Sequence, residues 1–146
     1  MSTAAAVKPS LTIRRRFKAP PARVYRAWTQ PQEIARWFTP NGTTVLESVF
    51  ETRAGGRFML HARAANGEDL RVSGVVREAS PDAKLVYTWA WQSTPERESV
   101  VTVEFRPDGD GTLLQLTHEQ FFDEPARDRH NQGWTACLDS LEAYLA

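Results

Sequence analysis

Through the middle of the chain, apolar and polar positions alternate with a period of two, while near both ends apolar residues recur at helical spacing. Leu11 to Phe17 reads as a first strand, with Leu11, Ile13, Arg15 and Phe17 on one face and Thr12, Arg14 and Arg16 on the other. Arg15 is the charged member of the inward row, placed to meet a buried carboxylate or an acidic ligand. Pro20 and Pro21 then open a short helix with Val24, Tyr25 and Trp28 on one side, since proline's fixed φ suits a first helical turn. Thr29 to Gln32 matches a capping box and starts a second short helix that buries Ile34, Trp37 and Phe38.

After a turn at Pro40-Asn41-Gly42, strand-forming segments follow at Thr43 to Glu51, Arg57 to Arg63, Leu70 to Glu78, Lys84 to Gln92, Ser99 to Arg106 and Thr112 to Glu119. Gly55-Gly56, Asn66-Gly67, Ser80-Pro81-Asp82, Thr94-Pro95 and the stretch from Pro107 to Gly111 separate them, and such residues supply the backbone angles of hairpin turns. Short links between consecutive strands predict an antiparallel meander. Val101, Val103 and Phe105 form the buried row of one strand; Leu114, Leu116 and His118 form that of the next. Leu85, Tyr87, Trp89 and Trp91 make an unusually aromatic row. Between Arg57 and Arg63, Phe58 and Leu60 compete with Met59 and His61 for the inward side.

The last helix is expected after Phe122, with Asp123 as N-cap and Pro125 in the first turn. Trp134, Leu138, Leu141 and Leu145 recur at helical spacing, flanked by Cys137 and Tyr144, with His130 one turn before Trp134. Gly133 costs about 1 kcal/mol of helix propensity relative to alanine, so it serves either close packing or space for a ligand. Short helices, a run of hairpins and one long terminal helix predict an α+β fold in which a curved antiparallel sheet of about seven strands wraps that helix.

Composition narrows the function. At 146 residues the chain has the length of one domain, expected over residues 11–146 behind a loose tail at 1–10. Eighteen basic residues balance eighteen acidic ones, so no overall field draws the protein to nucleic acid or an anionic membrane. No apolar stretch approaches membrane-spanning length and no signal-like segment opens the chain, which points to the cytoplasm. Cys137, the single cysteine, has no disulfide partner and no basic neighbour in sequence to activate it. No HxH or HxxxH pair, GxSxG elbow or phosphate loop occurs; neither a metal nor a cofactor is expected.

Four phrases carry a resemblance: FKAPPARVYRAWTQPQEIARWF from Phe17, GGRFMLHARAANGED from Gly55, VSGVVREASPDAKLVYTWAW from Val72 and HNQGWTACLDSLEAYL from His130. Together they resemble the START/Bet v-like SRPBCC superfamily, and within it the bacterial single-domain homologues of the activator of the 90-kDa heat-shock protein ATPase. The resemblance implies a helix-grip fold, order β-α-α-β-β-β-β-β-β-α, with a cavity between the sheet and the C-terminal helix. It brings no catalytic motif that transfers to particular positions.

The expected function is therefore binding of a small hydrophobic or aromatic molecule in that cavity. Candidate wall residues are Trp37, Phe38, Trp89, Trp91, His130, Trp134 and Leu138, and the polar contacts are His61, His118 and Tyr87. The resemblance leaves two other readings open: a polyketide cyclase or dehydratase using His61 or His118 as general base, and a co-chaperone with a chaperone partner. The protein is expected as a monomer or homodimer.

Overall fold

The structure, a computed structural model, describes residues 8–39 and 42–146. Residues 1–7 of the expected tail at 1–10, and the first two residues of the Pro40-Asn41-Gly42 turn, lie outside the described residues. Strand β1 (Leu11–Phe17) is followed by helices α1 (Pro21–Thr29) and α2 (Pro31–Trp37). Six strands come next: β2 (Thr44–Phe50), β3 (Arg57–Arg63), β4 (Asp69–Ser80), β5 (Lys84–Trp91), β6 (Ser99–Asp108) and β7 (Gly111–Glu119). Helix α3 (Glu124–Tyr144) closes the chain. The sheet order is β1-β7-β6-β5-β4-β3-β2, all neighbours antiparallel, which is the predicted meander with β1 returning beside β7.

The register explains how one face became the core. Pairing Val103 with Leu85 and Leu116 lines up the inward rows of β5, β6 and β7, and all three side chains are fully buried. The ambiguity in β3 resolves for Phe58, Leu60 and Ala62, which are buried, leaving Met59 and His61 on the outer face. Between the paired residues Ser73–Ala90 and Val76–Tyr87 the ladder of β4 and β5 is interrupted. There, Thr88 Oγ1 accepts a 2.8 Å hydrogen bond from the Val75 backbone N–H. A Cβ at Gly74 would lie 1.9 Å from the Thr88 carbonyl oxygen, so only glycine lets the two backbones approach this closely.

The helices sit where their apolar faces demand. Trp28 and Trp37 contact one another at 4.8 Å between ring centroids, and Trp28 stacks on Trp134 of α3 at 5.8 Å. Trp37 donates to the Ala27 carbonyl (2.8 Å) and Trp28 to the Tyr87 hydroxyl (3.3 Å), so the N–H of each buried ring is paired. Glu33 of α2 ties the three helices together: it accepts from Arg23 and Arg26 of α1 and from Tyr144 of α3. Although burial opposes its charge, these donors hold its carboxyl below the usual carboxylate range.

Two local expectations need correction. Thr29 is not the start of a capping box, because its hydroxyl bonds back to the Tyr25 carbonyl at 2.9 Å inside α1, and Gln30, without a side-chain cap, precedes α2. The fixed geometry of Pro31 at the first helical position starts this helix instead. Arg15 meets neither a buried carboxylate nor the sheet interior; it reaches from β1 to Asp139 (2.7 Å) and Glu142 (3.6 Å) on the exposed side of α3. By contrast Asp123 caps α3 as expected, accepting from the Ala126 N–H at 2.9 Å.

Gly74→Ala is expected to lower stability by about 2–3 kcal/mol, because the colliding atom is backbone and cannot rotate away. Urea unfolding of the variant checks this; a change under 0.5 kcal/mol would mean the two strands can separate freely at this point.

Candidate functional site

Strand β5 and helix α3 present their chemistry to each other across a gap. Trp89 and Trp91 lie two residues apart and so share the concave face of the sheet. His130, Gly133, Trp134 and Cys137 follow the i, i+3, i+4, i+7 pattern, placing them along one side of α3. Between these rows lies a cavity of about 280 Å³. Leu60 and Ala62 of β3 and Leu70 of β4 extend its floor, and Phe38 and Thr43, which flank the α2–β2 connection, form its end wall. Arg129, exposed to solvent, is the single charged residue among the described residues of the lining.

Gly133 resolves in favour of space. A Cβ built at this position meets no atom within 4 Å, so the missing side chain keeps the roof of the cavity open and is not required for close packing. An engineered apolar cavity of about 150 Å³ holds benzene; this one has roughly twice that volume.

Two indole–imidazole pairs form the polar framework of the wall. Trp134 Nε1–H donates to His118 Nδ1 at 3.0 Å. His118 Nε2 lies 2.7 Å from the Ser99 hydroxyl, which itself donates to the Trp89 carbonyl at 3.1 Å. The proton of this neutral ring therefore resides on Nε2. Nearby, Trp91 Nε1–H donates to His130 Nε2 at 2.9 Å, and His130 Nδ1–H donates to the Ala126 carbonyl at 2.7 Å. Every ring nitrogen of both histidines is occupied.

Burial pushes the His118 pKa well below its ordinary value, with His130 adding to the effect. Burial also lowers the pKa of His130; the Arg129 charge contributes and the Ala126 hydrogen bond opposes it. The Trp89 indole N–H is the remaining polar atom of the ring wall and has no partner among the described residues, a condition that costs about 1–3 kcal/mol. Burial raises the Cys137 thiol pKa far above its ordinary value, so this side chain acts as an apolar wall group and not as a nucleophile.

The structure sorts the sequence candidates. Phe38, Trp89, Trp91, His130 and Trp134 line the cavity together. Trp37, Tyr87 and Leu138 are packed in the core beside it. His118 points inward but is fully buried behind Trp134 and Phe121, without a surface on the cavity. His61 is on the outer face, its Nε2 3.5 Å from Asp69 Oδ1; at that separation the contact is an ion pair when the ring is protonated and not a hydrogen bond. The single-residue alternation of β3 placed it there. Arg129 and Gly133 also line the site; Gly133 was open to this reading from the sequence, and the position of Arg129 four residues before it on the same helix was the signal that could have found the arginine. Among the described residues no group of three His, Cys, Asp or Glu side chains is arranged to hold a metal ion, and no helix is long and apolar enough to cross a membrane.

A curved antiparallel sheet closed over a long C-terminal helix, with an apolar cavity between them, defines a helix-grip protein of the SRPBCC type. Residues 18–146 match the family described as "Activator of Hsp90 ATPase homolog 1-like protein", and the chain belongs to this AHSA1 family. No curated protein matches the chain. Among solved structures, it is similar to an AHSA1 protein from Silicibacter pomeroyi, with 25% identity, 94% of this chain and 97% of that one covered, and a TM-score of 0.84. A protein from Chromobacterium violaceum shares 28% identity over 93% of this chain and 96% of that one, with a TM-score of 0.83. CalU16 from Micromonospora echinospora shares 31% identity over 94% of this chain and 76% of that one, with a TM-score of 0.73. The membership supports a ligand-binding fold in general.

His118 and His130 make stability depend on acidity. Their folded pKa values are depressed, so their contribution is fully present above the unfolded value near 6.5 and is lost as pH falls below it. With each ring, the unfolded chain takes up a proton that the folded state refuses, giving up to about 1.4 kcal/mol per pH unit per histidine. Urea midpoints measured from pH 7.5 to 5 should fall below pH 6.5, and His130→Gln should reduce that slope; an unchanged slope in this variant would show that His130 takes up its proton equally readily in the folded and unfolded chains.

Proposed function

We propose that residues 11–146 act as one binding domain for a small, largely apolar molecule of about two-ring size, held between the sheet and α3. The observation that carries this reading is the open volume opposite Gly133 in a protein otherwise packed with aromatic rings. A helix that accepts the propensity cost of a central glycine, with nothing filling the space, has kept room for something else. Each 100 Å² of apolar ligand surface withdrawn from water contributes about 2.5 kcal/mol before the costs of association. The walls supply ring edges and faces from Phe38, Trp89, Trp91 and Trp134, which favours an aromatic ligand.

The cyclase reading draws less support, because a general base needs a free nitrogen within reach of the substrate. His118 has both nitrogens occupied, and His61 faces away from the cavity. A co-chaperone role rests on the family description alone.

Titration with 2-naphthol should shift the indole N–H resonances of Trp89, Trp91 and Trp134, with a Kd on the order of 10 μM. Gly133→Ala should add about 1 kcal/mol of stability, and Gly133→Leu should remain folded while its side chain occupies the cavity and abolishes binding. Undiminished binding by the leucine variant, or no response in the wild type, would remove this function.

A further inference from the structure

The cavity is apolar along its length and charged at one point. Arg129 lines it yet is exposed, so the cavity reaches solvent beside a guanidinium. Nothing on its own helix neutralises that charge, because Pro125, Ala126, Gln132 and Gly133 occupy the positions one turn away. The neighbouring Arg127 pairs with Asp128 at 3.1 Å, whereas Arg129 has no carboxylate within ion-pair distance among the described residues. Its charge is felt at the wall, where it helps to depress the pKa of His130.

The surroundings are biased in the same direction. A small cleft of about 50 Å³ adjoins the cavity through Trp89, Trp91 and His130; Arg97 and Arg129 line it and no acidic residue does. Arg97 sits 3.9 Å over the ring of Phe122, while its neighbour Glu98 reaches toward Arg77. Glu68 and Asp69 line a different cleft, which shares Leu70 and Trp91 with the cavity, and Asp69 is engaged there by Arg63. An apolar chamber with an unpaired guanidinium at its opening matches a molecule of two parts, an apolar body and an anionic head.

We propose that the ligand is an amphipathic carboxylic acid whose aromatic or short aliphatic body fills the cavity and whose carboxylate is held at the opening by Arg129. The planar fork of one guanidinium fits one carboxylate through two parallel N–H donors. Such an acid enters body first, leaving its head beside the one charged side chain among the described lining residues. This assignment rests on the cavity-binding reading and adds the chemical class of the ligand.

2-Naphthoic acid and 2-naphthamide share a shape and differ in charge at pH 7.5, so calorimetric titration of both separates head from body. In 50 mM salt the wild type should bind the acid about three- to tenfold tighter than the amide, as befits a partly solvated ion pair, and 0.5 M salt should narrow the gap. Arg129→Gln, a surface substitution with circular dichroism as its folding control, should bring the two affinities together. Equal affinities in the wild type, a preference that survives Arg129→Gln, or one abolished by Arg97→Gln instead would each overturn the assignment while amide binding upholds the cavity reading. Failure of both probes to bind would overturn the two together.

Discussion

Indole-to-imidazole hydrogen bonds from Trp134 to His118 and from Trp91 to His130 hold helix α3 at its height above the sheet. The chain of hydrogen bonds from Trp134 through His118 and Ser99 to the Trp89 carbonyl links α3 to three adjacent strands. A second pair, Trp91 with His130, fixes the first turns of the same helix to the end of β5. An apolar contact tolerates sliding by an ångström or more, but a 3 Å hydrogen bond in a dry interior does not, since breaking it strands a donor and an acceptor. The helix is therefore hung from the sheet at defined points and is not simply settled onto it.

The cavity follows from that suspension. With Trp134 and His130 spoken for, the helix cannot sink to fill the space opposite Gly133, and the rings of Trp89 and Trp91 cannot swing across without losing contacts of their own. The same arrangement removes these histidines from acid–base chemistry: a ring with both nitrogens bonded and a depressed pKa has neither a free lone pair nor a proton to lend. Catalysis by either ring would therefore compete with the structural pairing. The charge at the opening stands apart from this framework, because Arg129 is engaged in none of it.

Most of the fold was legible in the sequence because it depends on local rules. Period-two alternation located each strand to within about two residues, turn residues marked the hairpins, and Asp123 with Pro125 located the start of α3. Alternation was silent for β3, where apolar residues fell on both sides, and the burial of Phe58, Leu60 and Ala62 settled what spacing could not. The capping-box pattern at Thr29 misled because a threonine within a helix has a competing acceptor one turn back, the Tyr25 carbonyl. The site was only half visible: Trp89, Trp91, His130 and Trp134 were recognisable as a group, but Trp37, Tyr87 and Leu138 looked identical to them in pattern and belong to the core.

By itself, then, the sequence determined which residues form each element and which face of most elements turns inward, since both depend on spacing along the chain and on turn and cap chemistry within a few residues. Only the tertiary structure decided which inward rings fill space and which enclose it, where each histidine's nitrogens are spent, and that Gly133 opens on a void with Arg129 at its rim. Those properties depend on distances between residues far apart in the chain, and a cavity is defined by what every surrounding side chain leaves unfilled.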